Sequence, residues 1–218
     1  MSENMVTETR EVDGFDGVTL GAFGNVHITQ GDRMGLTIEA PEELMKRVTA
    51  EVRDGVLVLD IRRGGWFAGM RQKRQSIRYE VTMTRVRTLR LSGVGRIDAP
   101  SIEAEDLSVG VSGVGAIEIG SLRAKSLEVS VSGAGNCEIS GQVETQEIRL
   151  SGSGNYLARD LESRTASALV SGAGDVTVHV LDTLDAKISG AGSIRYHGAP
   201  TVRQRVTGVG SVSCIRSE

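Results

Sequence analysis

From residue 87 onward the chain alternates apolar and polar side chains in short runs that break at regular intervals. Leu107-Ser108-Val109-Gly110-Val111 and Leu127-Glu128-Val129-Ser130-Val131 each carry a period of two, the signature of a strand with one buried face. A second alternating piece follows each break, as in Ile117 and Ile119, Val176 and Val178, or Ile194 and Tyr196. The spacing predicts that these apolar residues point inward and their neighbours outward.

The breaks share one motif. Ser-Gly-x-Gly begins at Ser92, Ser112, Ser132, Ser151, Ser171 and Ser189, and Thr207-Gly208-Val209-Gly210 is a seventh copy. The starts are 20, 20, 19, 20, 18 and 18 residues apart, too short for a pair of helices or a propeller blade. About 20 residues hold two or three short strands and their bends, but no helical crossover. Each unit is therefore one coil of a β-solenoid, pairing in parallel with the coil before and after it. Seven coils at a strand spacing of about 4.8 Å give a column of roughly 30 Å. The glycines are expected at corners, where positive φ is tolerated. No helix follows them and no Lys-Ser or Lys-Thr pair trails them, so they are not phosphate loops.

Composition agrees with this picture: 28 Gly, 3 Pro and 3% aromatics describe an aliphatic core cut by many tight bends. With 25 Lys plus Arg against 28 Asp plus Glu, there is no global field for nucleic acid or an anionic membrane, and no specific nucleic-acid partner is expected. Two cysteines make no disulfide framework. Cys137 and Cys214 both fall on inward columns about 19 Å apart, beyond the reach of a disulfide. Met1 to Phe15 lacks the apolar run of a signal peptide or transmembrane segment, which on the sequence alone predicts a cytoplasmic chain.

Upstream the β pattern is irregular, in Val26 to Thr29, Gly35 to Glu39, Gly55 to Ile61 and Ile77 to Met83. Pro41 to Val48 predicts a short helix, with Pro at its start and Glu42 and Glu43 in its first turn. The chain divides into a tail over 1–11 and one solenoid domain over 12–218. Within that domain, 12–86 forms irregular first coils or a cap, and 87–216 the regular repeats. The Gly14-Phe15-Asp16-Gly17-Val18 opening, the Gly24 to Gly31 stretch, the Ile38-Glu39-Ala40-Pro41 turn and the serial SGxG motifs resemble the head GIN domain of the auto-transporter adhesins. The resemblance runs from Val12 to Cys214. It implies an all-β, single-stranded, right-handed parallel β-helix in bacterial proteins of the cell envelope, with an adhesin role and no catalytic residues to carry over.

Two places could carry chemistry. Aligned repeats put Asp98, Glu118 and Glu138 at one outward position in successive coils, where like charges repel and a cation such as Ca²⁺ would relieve the cost. A solvated face screened by Arg96 or Arg123 is the plainer alternative. Arg62, Arg63, Arg71, Lys73 and Arg74 surround Trp66 and Phe67 in the one segment that interrupts the β pattern. Basic side chains beside aromatics suit an anionic glycan, an anionic membrane surface or a single-stranded nucleic acid; as a plain structural feature the same segment would cap the open end or contact another subunit.

His27, His179 and His197 lack metal-site spacing and are expected as three unconnected surface residues. Arg149, Lys187 and Arg205 share an outward column that Leu169 breaks. No nucleophile elbow or recurring histidine partner accompanies the corner serines. The sequence thus points to a non-enzymatic structural or adhesin-like module without a cofactor. The alternative is a carbohydrate-active β-helix protein that binds or cleaves an anionic polysaccharide. Exposed strand edges in the last coil predict a homo-oligomer.

Overall fold

The structure, a computed structural model, describes residues 4–62 and 77–215. It is a β-solenoid of about six turns, about 20 residues apart. The first strands are β1 (Met5–Arg10), β2 (Gly17–Leu20), β3 (Phe23–Gln30) and β4 (Gly35–Pro41), then helix α1 (Glu42–Met45). β5 (Val48–Arg53), β6 (Val56–Ile61) and β7 (Arg78–Met83) follow. The repeats hold β8 (Thr88–Leu91), β9 (Val94–Ala99), β10 (Ile102–Glu103), β11 (Asp106–Val111), β12 (Val114–Val131), β13 (Ala134–Leu150), β14 (Asn155–Val170), β15 (Val176–Ile188), β16 (Ser193–His197), β17 (Thr201–Val206) and β18 (Ser211–Cys214).

Each coil contributes to three faces. The first holds the run before the Ser-Gly bend, the second the run after it, and the third a short connecting piece. β12 pairs in parallel with β13 on all three, through Val114 to Ile119, Leu122 to Ala124 and Ser126 to Val131. Inward residues stack into columns. On the second face Ile97, Ile117, Cys137, Tyr156, Val176 and Ile194 follow one another in register. On the first face Leu91, Val111, Val131, Leu150, Val170 and Ile188 do the same. All are buried. Each such aliphatic side chain contributes about 1.5–3 kcal/mol by leaving water.

The chain bends at the Ser-Gly pairs, and a repeated hydrogen-bond set ties each bend to the one below. The Leu91 carbonyl accepts from the N–H groups of Ser112 and Gly113, and the Gly93 carbonyl from Val114. Val111 serves Ser132 and Gly133 likewise, and Gly113 serves Ala134. The expected role of positive φ fails at most of these glycines: among the seven tetrads only Gly95 and Gly115 have it. Close approach governs instead. A Cβ on Gly113 would lie 1.9 Å from the Gly93 carbonyl oxygen, and one on Gly133 2.2 Å from that of Gly113.

The N-terminal part is layered out of sequence order. β2 lies between β6 and β8, and β3 between β7 and β9, all in parallel. The layer of strands β6 and β7 is thus the outer one, although it comes later in the chain than β2 and β3. It is covered by antiparallel strands: β5 on β6, β4 on β7, and β1 on β4. That cover blunts the edge of a parallel stack. Helix α1 is shorter than the Pro41 to Val48 expected, because Val48 already pairs with Ile61.

Candidate functional site

The outward positions of the second face place Asp98, Glu118 and Glu138 in one register column, as the repeat alignment implies. The column continues through His27 to Glu80 in the out-of-order layers, which spacing could not foresee. Its His27, Asp98 and Glu118 side chains pair locally. His27 Nδ1 lies 2.5 Å from Asp98 Oδ2, and Arg96 Nη1 donates to Glu118 Oε2 at 2.7 Å. Among the described residues no three His, Cys, Asp or Glu side chains converge as a metal-ligand set. Beside this column, Asn136, Asn155 and Asp175 form a ladder. Each side-chain oxygen accepts the backbone N–H of the next coil, from Asn155, Asp175 and Ser193 in turn. These residues close corners.

Of the basic segment, Arg62 is described, while Arg63, Trp66, Phe67, Arg71, Lys73 and Arg74 lie outside the described residues. Arg62 and Arg47 meet through the Arg62 N–H to the Arg47 carbonyl, and Arg47 Nη2 donates to the Arg62 carbonyl at 2.7 Å. Arg62 and buried Ile77, the described residues that flank the segment, both lie at the capped end of the column.

The histidines are not three unconnected surface residues. His179 and His197 follow one another in register with ring centroids 6.3 Å apart, and His197 is only 7% exposed. Its Nε2 is buried without a hydrogen-bond partner. Burial holds the His197 pKa below the ordinary value, helped by Arg159 and His179 and opposed by Asp160. Cys137 is buried as expected, and burial pushes its thiol pKa well up. Cys214 keeps its inward register position but is exposed, because among the described residues β18 pairs only with β16 and no further coil covers it. Both cysteines are free.

Inside the column lies a polar chain that the alternating pattern does not signal. Tyr156 Oη donates to Gln146 Oε1 at 3.0 Å, Gln146 Nε2 to Ser163 Oγ at 2.7 Å, and Ser163 Oγ to the His179 carbonyl at 3.0 Å. It satisfies Gln146 at a position where Leu107, Leu127, Ala166 and Leu184 stand in neighbouring coils.

The first face carries a groove of about 580 Å³ that crosses the strands. One wall is a ladder of hydroxyls, Ser126, Thr145, Thr165 and Thr183, in consecutive register. The other is the column two residues on, Glu128, Glu147, Ser167 and Asp185. Arg149 bridges Glu128 at 2.7 Å and Glu147 at 2.5 Å, and Lys187 holds Asp185 at 3.1 Å. The Arg149–Leu169–Lys187–Arg205 column expected from the sequence is present and lies just outside these acids. The ladder had a legible signal: each member stands six residues before a corner Ser, and Thr201 stands six before Thr207.

Comparison with known proteins follows the same lines. A putative adhesin from Bacteroides fragilis superposes with a TM-score of 0.91 at 26% identity, over 98% of both chains. A putative adhesin from Parabacteroides merdae gives 0.73 at 20% identity, over 97% of this chain and 96% of that one. A putative lipid binding protein from Parabacteroides distasonis gives 0.72 at 21%, over 98% and 97%; the latter two show the fold alone. No curated protein matches the chain. The family described as "Putative auto-transporter adhesin, head GIN domain" matches residues 14–200, and with the coil architecture and its serial glycine bends on the page, the chain belongs to that family.

Proposed function

We propose that the chain is a non-catalytic, adhesin-like module whose contact surface is the outer side of its regular coils. The observation that carries this is the first-face groove. Its side-chain chemistry recurs from coil to coil, so it offers an extended contact and no single reacting centre. The groove lining holds no histidine, cysteine or tyrosine, and its carboxylates are engaged by Arg149 and Lys187. Membership of an adhesin-described family supports the same reading. Beads coated with the protein are expected to resist washing from cell or polysaccharide surfaces; retention no better than that of albumin-coated beads would sink the proposal.

Self-association belongs to the same proposal. β17 pairs only with β15 and β18 only with β16, so their far edges carry unpaired backbone groups among the described residues. A second copy docked there would cover Val206, which is 40% exposed. Sedimentation velocity should show a concentration-dependent dimer, and a constant monomer over a wide concentration range would remove this part.

A further inference from the structure

Resting on the adhesive reading above, we propose that the first-face groove binds a neutral polysaccharide lying along the solenoid axis, one sugar ring against each coil. The backbone under the groove is fully engaged in the parallel ladders of β12 to β15, so it offers no strand edge to a peptide. Recognition must come from side chains. Each coil presents a hydroxyl from Ser126, Thr145, Thr165 or Thr183, those of Ser126 and Thr145 already donating to Asp106 Oδ1 and the Lys125 carbonyl and so offering their oxygens as acceptors, and two residues along the strand an acceptor from Glu128, Glu147, Ser167 or Asp185. Those two groups stand about 6.6 Å apart, a span for the hydroxyls of one pyranose ring, and the pair recurs about every 4.8 Å.

The charge and periodicity exclude the obvious competitors. Glu128 and Glu147 share Arg149, and Lys187 answers Asp185, so the lining acids are largely balanced and neither a polyanion nor a polycation is strongly drawn in. An extended peptide advances about 3.3 Å per residue and falls out of step with the coils by its second residue. A pyranose chain, whose rings are about as long as one coil is thick, keeps step. No aromatic side chain lines the groove, so stacking is absent and affinity accumulates through the number of coils engaged.

The test is affinity electrophoresis of the whole chain in gels containing hydroxyethylcellulose or soluble mannan, with alginate and heparin gels alongside. The wild-type protein should be retarded by at least one neutral polymer. The Thr145→Val/Thr165→Val/Thr183→Val variant keeps shape and strand preference but loses three hydroxyls. It should bind about tenfold or more weakly, with an unchanged circular dichroism spectrum. The corresponding triple Thr→Ser variant should retain binding, and single Thr165→Val gives a smaller loss if the triple variant misfolds. No retardation by either neutral polymer, retardation by the polyanions alone, or unchanged binding by the valine variants overturns the inference. If coated beads still adhere in that case, the adhesive reading stands and only the ligand class falls.

Discussion

Gly113 has the Gly93 carbonyl oxygen where a Cβ would be, and the bend hydrogen bonds hold the backbone of both residues in place. Gly113→Ala should therefore cost about 2–4 kcal/mol and show as an early urea midpoint. Gly35, with nothing within 4 Å of its missing Cβ, is the control, and its alanine variant should be neutral or gain about 0.4–1 kcal/mol. His197 gives a pH prediction. Its folded pKa lies below its unfolded one, so below about pH 6.5 the unfolded chain binds more protons. The stability it contributes is complete at neutral and alkaline pH and is lost as pH falls through the folded value. The melting temperature of wild type should drop more between pH 7 and pH 5 than that of His197→Phe; equal drops would contradict the assignment. Glycine spacing was legible in the sequence, but the reason for glycine was not, because a carbonyl one coil away is a contact between residues 20 apart.

Within the elements, alternation in Leu127 to Val131 and the 18–20-residue spacing specified the register well enough to place Asp98, Glu118 and Glu138 in one column. The same reasoning could not foresee His27 and Glu80 in that column, since the layer order of the first coils departs from chain order. That order is testable. Thr19 pairs with Val58 on one side and Arg90 on the other. A Thr19→Cys/Arg90→Cys variant should form an intrachain disulfide on mild oxidation, across a contact that coils stacked in sequence order would lack. Absence of the crosslink would refute the layering. The Tyr156–Gln146–Ser163 chain was hidden for a different reason: Gln146 breaks an apolar column, and only the structure shows its partners. Ser163→Ala leaves Gln146 Nε2 unpaired and should cost about 1–3 kcal/mol in denaturant unfolding.

For the molecule as a whole, a stack of similar coils gives a surface that repeats in one direction, and repetition suits contacts that grow with ligand length. Charge and broken alternation single out Arg62 to Arg74 in the sequence, and nothing comparable marks the regular coils. The hydroxyl ladder was present in the sequence as Ser126, Thr145, Thr165 and Thr183 at one offset from each corner. Single hydroxyl side chains on a solvent face carry no signal, and four become a wall only after the coils are stacked. An extended binding face with no chemistry upon it makes two demands of the molecule. Calorimetric titration with neutral oligosaccharides of increasing length, followed by chromatography of the recovered ligand, tests both at once. Affinity should rise with each added sugar until the ladder is spanned and then level off, with every oligomer recovered intact; length-independent binding, or shortened products, would contradict it.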